Sequence, residues 1–337
     1  MRNPNKLLLF SVFILVVIII SACTGRKTRD LYVNLKGVEI EPIKIKRYEK
    51  ALFNIPPEVL KPELKKISTV YPVFLDYDLD DTLIIIQLHR FITEPVNREL
   101  YQFTTDRYPE LNFLENDFQL AFRYFKYYYP DKPLPNITTY VSGLLYELPI
   151  QFFGNEMVIA LDMYLGDDVE HYRRFRFPLY KIERMNSDYI VRDGIYDFYY
   201  LHFLKKPGSN MLEKMISNGK HLYFVDAMLP DVPDYIKIGY PPEKLEWCIA
   251  NESNIWAFII QNELLYSGEA GTLRKFFADG PFTNQFGQQS PARVGEWIGW
   301  LIVRSYMNKN REISLNELLD NDDFQMIFNN SGYRPAK

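Results

Sequence analysis

The chain has 337 residues, of which 47% are hydrophobic and 16% aromatic, with 39 basic and 43 acidic side chains. A formal charge of −4 excludes the strongly basic surface that a nucleic-acid binder needs. The length suits one large domain or two modest ones, and 2 cysteines cannot form a disulfide framework.

The N-terminus reads as a targeting segment. Arg2 and Lys6 form a basic tip, and Leu7 to Ile20 is apolar apart from Ser11. That run matches a signal-peptide core and falls short of the roughly 20 residues of an ordinary membrane-spanning helix. Ile20-Ser21-Ala22-Cys23 follows: an aliphatic residue, two small residues that admit a peptidase, and a thiol that can be alkylated with a diacylglyceryl group. This is the pattern of a bacterial lipoprotein signal; a membrane anchor that happens to contain a cysteine is the alternative. On the lipoprotein reading residues 1–22 are removed, Cys23 carries the acyl chains, residues 23–36 form a tether and residues 37–337 form the body. Two or three chains hold a protein firmly, where one holds it only marginally. Thr24 to Arg29 contains no acidic run of the kind that would direct export to the cell surface, which favours the periplasmic side of the outer membrane.

Along the body, residues 37–48 alternate apolar and charged side chains and predict a strand with Pro42 at an edge or bulge. Residues 56–75 predict a helix broken near Pro62, residues 81–103 a helix interrupted at Pro95, and residues 111–129 a helix ending at Pro130. Residues 136–144 and 155–166 have the β-branched and apolar density of two strands. Helices follow over 208–229 and 241–265, the latter so evenly apolar that a central position is expected. The last long helix, 290–308, is expected to open with Ser290 as N-cap and Pro291 in its first turn, and Ser314 with Glu317 reads as a capping box. These elements predict a single α+β domain, mostly helical, with a small sheet in its first half. Glu252 and Glu263 lie 11 residues apart, as do Arg293 and Arg304, so two antiparallel helices could set Glu252 opposite Arg304 and Glu263 opposite Arg293. Gly295 and Gly299 would let a neighbouring backbone approach.

Chemistry-bearing motifs are sparse. The histidines are His89, His171, His202 and His221, and no His-Glu-x-x-His, nucleophile elbow, phosphate-cradling loop or dinucleotide fingerprint occurs. The densest acidic stretch, residues 162–168, lacks the ligand spacing of a calcium loop and reads as a strand end and turn. No distinctive carboxylate pair stands out, and no metal or other cofactor is implied. Cys248 sits in an apolar helical context and reads as a buried small hydrophobe. The tyrosines and phenylalanines recur at helical spacing and read mainly as core.

The segments LLYELPIQFF, IALDMYLG, LEKMISNGKHLYFVDAMLPD, WCIANESNIWAFIIQNELLYS, RKFFADGPFTNQFG and SPARVGEWIGWLIVRSYM, together and in this order, resemble GldB, the gliding-motility-associated lipoprotein family of Bacteroidetes. The resemblance implies an outer-membrane lipoprotein that supports a partner lipoprotein of the motility and secretion apparatus. The family is in turn distantly similar to predicted zinc peptidases of the zincin type, in which two strands precede a His-Glu-x-x-His helix and a Glu-Gly pair opens a later helix. Laid on this chain, that pattern puts Phe198 where the first histidine belongs, Tyr199 at the general base, His202 at the second histidine, and Asn218-Gly219 at the Glu-Gly pair. Zinc hydrolysis needs three protein ligands and a base, so the resemblance implies a zincin-like scaffold without its metal, with Phe198, Tyr199, His202 and Asn218 lining a relic cleft.

Three functions compete: a non-catalytic lipoprotein that docks other envelope proteins, a periplasmic hydrolase acting on peptide or cell-wall material, and a glycan-binding lipoprotein that uses exposed aromatic side chains. The first is favoured by the tether, the missing catalytic set and the resemblance.

Overall fold

The computed structural model describes residues 31–166, 170–203 and 208–336, so Cys23 and the signal segment lie outside it. Residues 31–43 run without regular secondary structure along a helix, α5, with a tight turn at Lys36-Gly37. Arg123 of that helix donates to the carbonyls of Leu35 and Val38, and Gln119 accepts from Ile43 N–H. Of the strand predicted over 37–48, Ile45–Arg47 (β1) pairs in the sheet. Helices α1 (Tyr48–Phe53), α2 (Leu60–Ile67), α3 (Thr82–Thr93), α4 (Pro95–Arg107) and α5 (Asn112–Tyr128) follow. Pro62 falls in the first turn of α2, where a missing N–H costs nothing, so it does not break the helix there. Pro95 does mark the boundary between α3 and α4, as its N1 position requires.

The sheet has four strands in the order β1–β2–β4–β3, with β2 at Asn136–Tyr140, β3 at Ile150–Phe153 and β4 at Glu156–Ala160. Strands β1, β2 and β4 run parallel, with Ile45 opposite Ile137 and Ile137 opposite Met157. Strand β3 returns antiparallel to β4 through Gly154-Asn155, with Gly154 at φ 59°. The predicted strands were too long at their C-terminal ends: residues 141–144 turn away and residues 161–163 form a short 3-10 turn. Strand β3 was not foreseen.

Helix α6 (Leu179–Ile182) precedes α7 (Ile190–His202), which packs on the sheet and on α5. Gly194 makes this approach possible: a Cβ there would stand 2.9 Å from the Phe118 ring and 3.3 Å from Met157 sulfur. The centre of the molecule is the pair α8 (Met211–Met228) and α13 (Val294–Lys309). These helices touch backbone to backbone, since a Cβ on Gly219 would lie 2.2 Å from Gly299 oxygen and one on Gly299 would lie 1.7 Å from Met215 oxygen. Gly299 therefore acts as expected, whereas Gly295 makes room for the Phe277 ring. Helix α9 (Asp234–Ile238) lies between them in sequence.

The stretch 241–265 is not the central helix. It breaks at Asn251 into α10 (Pro242–Ala250) and α11 (Glu252–Gln261), and Ile249 and Ile260 face solvent. All-round apolarity misled because several of its aliphatic side chains are surface residues. Helices α12 (Ala270–Phe277), α14 (Leu315–Asp320) and α15 (Phe324–Ser331) complete the fold. Ser314 and Glu317 form the capping box at α14. Ser290 does not cap α13: it is buried and donates to Gly287 carbonyl, while Arg293, at φ 57°, holds the N-cap position. Among the described residues no helix is long and apolar enough to cross a membrane. The chain is a single α+β domain, mostly helical, with its small sheet in the first half.

The interhelix ladder also gives way to other pairings. Arg304 bonds Asp226 and Asp234, not Glu252, and Arg293 pairs with Glu296 at 2.8 Å rather than with Glu263. Glu252 accepts from Tyr333 hydroxyl at 2.9 Å, and Glu263 is exposed at φ 55° where the chain leaves α11. The 11-residue spacings do not translate into shared faces, because Glu263 lies beyond α11 and Arg293 at the left-handed N-cap of α13, and Arg304 turns toward α8 and α9. Asp226, only 1% exposed, is satisfied by Trp300 Nε1 at 2.7 Å, Arg304 and Lys237 Nζ at 3.1 Å.

Candidate functional site

Among the described residues, those expected to line a relic cleft are found in packing contacts. Phe198 is fully buried against Phe122 and Phe125, at ring distances of 5.5 and 4.7 Å. His202 lies one turn further along α7 and stacks on Phe125 at 5.2 Å. Burial, and then the charge of Lys132, push its pKa down to about 4. Tyr199 stacks on His221 at 4.2 Å, and Asn218 is partly buried on α8. His221 donates from Nε2 to Tyr196 carbonyl at 2.7 Å, and burial holds its pKa down to about 3. Gly219, at the place of the Glu-Gly pair, serves the close crossing with α13. Phe198, Tyr199 and His202 on α7 and His221 on α8 form an aromatic contact between the two helices, built for packing. His171 pairs with Glu99 at 2.9 Å, and His89 is exposed. Cys248 is fully buried, and burial raises its pKa, as an inert thiol requires.

The opposite, polar face of α7 opens into a cleft of about 330 Å³. Asp193 and Asp197 stand on it four residues apart, on the same side of the helix. The sequence Arg192-Asp193-Gly-Ile-Tyr-Asp197 carried that spacing as a signal, but nothing in it told a cleft face from a solvated one. Asp193 accepts from Tyr164 hydroxyl at 3.0 Å and from Arg192 at 2.8 Å. Arg192 is held in turn by Lys237 carbonyl at 2.8 Å and lies 4.3 Å from the centre of the Tyr196 ring. Asp197 has no hydrogen bond or salt bridge among the described residues. Burial, helped by the negative charge of Asp193 and opposed by Arg192, pushes its pKa up to about 7.

The rim is a built loop. Gly143 and Leu144 both adopt left-handed φ, 71° and 72°, and such strain in a leucine persists only where its surroundings impose it. Here the cause is Asp162, fully buried at the end of β4, which accepts from Ser142 N–H and Leu144 N–H at 2.9 Å each and from Ser142 hydroxyl. Tyr172 bonds the Asp162 carbonyl at 2.6 Å and accepts from Leu165 N–H. This lattice fixes Tyr146 and Glu147 over one side of the cleft. On the other side Asp279 takes Arg184 at 2.8 Å and Lys181 at 3.9 Å. Burial works against its charge, but Arg184 and Arg293 hold its pKa below the usual carboxylate range. Asp162, the one described acidic member of the 162–168 stretch, is thus structural, and residues 167–168 lie outside the described chain.

Comparison with known families decides the kinship. A sequence profile described as gliding motility protein GldB matches residues 30–335. The chain belongs to the GldB family. The match covers the sheet, the α8–α13 centre and the cleft, so the whole described body of the GldB fold is present here. Comparison with curated proteins gives no match, and neither does comparison with solved structures. Among the described residues no group of three or more His, Cys, Asp or Glu side chains is placed to hold a metal ion.

Proposed function

We propose that this GldB-family chain is a lipid-anchored, non-catalytic protein of the bacterial envelope. Acyl chains on Cys23 hold it at the outer membrane, facing the periplasm, where it supports a partner lipoprotein of the motility and secretion apparatus. The observation that carries this reading is the family match across residues 30–335, a gliding-motility family spanning the body rather than one motif. The lipoprotein pattern ending at Cys23 supports the anchor.

The test is genetic and biochemical in a gliding host. Deleting the gene lowers the amount of the partner lipoprotein and stops gliding. Restoring the chain recovers both, and the Cys23→Ser chain, lacking its anchor, restores neither. Full rescue by Cys23→Ser would contradict the anchored role. Turnover of peptide or cell-wall substrates by the purified protein, abolished by Asp197→Asn, would instead establish a hydrolase.

A further inference from the structure

The charges lining the cleft do not cancel. Arg192 is matched by Asp193 at 2.8 Å, while Arg184 and Lys181 share Asp279. Four carboxyl groups thus face three cations, a surplus of one negative charge, and two of the four, Asp197 on α7 and Glu147 on the strained rim loop, take no hydrogen bond or salt bridge among the described residues. The remaining lining is apolar or aromatic, with Pro149, Met163 and Met185 beside the tyrosines. A volume of about 330 Å³ lies at the small end of ligand pockets, with room for one long side chain and not for a folded element. The surface outside is greasy: Leu145 and Leu148 flank the lining residues Tyr146 and Glu147, and Leu179, which is 68% exposed, precedes Lys181.

We propose that this cleft receives the basic side chain, lysine or arginine, of a partner polypeptide. Asp197 and Glu147 take the positive head, and the apolar residues beside it in the partner rest on Leu145, Leu148 and Leu179. The aliphatic stem of such a side chain fits the Met163 and Met185 wall, which a small hydrated ion would leave uncovered. A long cation between the part-buried Asp197 and Glu147 at the exposed mouth is held by charge-assisted hydrogen bonds, stronger than neutral ones. The imposed left-handed turn at Gly143 and Leu144 is what keeps Glu147 at the mouth. The inference rests on the docking reading above only in taking the ligand to be a polypeptide.

Titration of the full-length protein in detergent with the blocked peptide acetyl-Leu-Gly-Lys-Gly-Leu-amide tests this, against the same peptide carrying norleucine for lysine and against n-butylamine. The lysine peptide binds at least about tenfold more tightly than either control, and Asp197→Asn and Glu147→Gln each weaken it several-fold. Affinity also falls several-fold from pH 8 to pH 6, approaching that of Asp197→Asn, because a group with a pKa of about 7 is mostly ionised at pH 8 and mostly neutral at pH 6. The other groups facing Asp197 are Asp193, Arg192, Lys181, Arg184, Asp279, Glu147 and the surrounding tyrosines. Burial keeps Tyr164 and Tyr196 protonated well above this range, and Asp279 is held below it. Equal binding of the lysine and norleucine peptides, or no change between pH 8 and pH 6, overturns the proposal. Equal binding of n-butylamine overturns the polypeptide as its source. If Asp197→Asn fails to fold, Glu147→Gln and the pH series of the unsubstituted protein still decide. Loss of peptide binding with motility intact would sink this inference alone and leave the anchored role standing.

Discussion

Replacing Gly299 with alanine probes the centre of the fold. The new methyl carbon would lie 1.7 Å from Met215 oxygen and 2.3 Å from its carbonyl carbon, both backbone atoms of α8. No rotamer relieves that clash, so α8 and α13 must separate by about 1 Å. A gap of that size forfeits roughly a quarter to a half of each contact's dispersion energy, about 0.1–0.2 kcal/mol per atom pair. The facing residues include Ile216, Ile298, Trp300 and Val303, all fully or almost fully buried. If about 50 atom pairs are affected, the loss is about 2–4 kcal/mol. Alanine's helix preference over glycine returns up to about 1 kcal/mol. The net expectation is a destabilisation of about 2–3 kcal/mol in urea unfolding followed by tryptophan fluorescence, with an unchanged denaturant slope. Gly280→Ala is the control: a Cβ there meets open space, so its effect stays within about 0.5 kcal/mol. If Gly299→Ala matched that control, the backbone contact would not hold the two helices as described.

Other substitutions test the polar framework. Arg304→Met leaves Asp226 buried with Lys237 and Trp300 as its remaining partners, and costs about 3 kcal/mol in the same unfolding assay; a loss under about 1 kcal/mol would show that Arg304 is dispensable to the network. Asp162→Ala strips the acceptor from Ser142 and Leu144 and costs about 3 kcal/mol; proteolysis within residues 142–149 should rise with it, and an unchanged cleavage pattern would refute the bracing role. His221 resists protonation when folded, whereas the unfolded chain takes up a proton near pH 6.5, so stability is lost as pH falls below that value. At pH 5 the loss from His221 is about 2 kcal/mol, and His221→Phe should show a correspondingly shallower decline from pH 7 to pH 5; parallel declines would contradict the burial of a neutral ring.

Local signals in the sequence carried the helices well. Pro95 separated α3 from α4, and Ser314 with Glu317 announced the cap of α14, because each effect acts within a few residues. Tertiary choices were less legible. Periodicity could not show that α8, with an ordinary amphipathic sequence, would be enclosed on all sides, or that α11 would leave Ile260 in solvent. Equal spacing of Glu252, Glu263, Arg293 and Arg304 suggested two helix faces, but Glu263 falls past the end of α11 and Arg293 at the left-handed N-cap of α13, and spacing shows neither where a helix ends nor which helix it meets. On α7, His202 is of a residue type associated with ligands, yet Phe198 one turn before it is a core residue and the two rings pack together. The cleft belongs to Asp193 and Asp197, whose neighbours Glu147, Lys181 and Asp279 come from distant segments that only the fold brings together.

An anchored envelope role requires a defined start of the mature chain and a lipid on it. Intact-protein mass spectrometry of the outer-membrane fraction of the host should give a chain lacking residues 1–22, with Cys23 at its N-terminus bearing a diacylglyceryl group. A chain retaining Met1, without acyl mass and recovered in the cytosol, would contradict it.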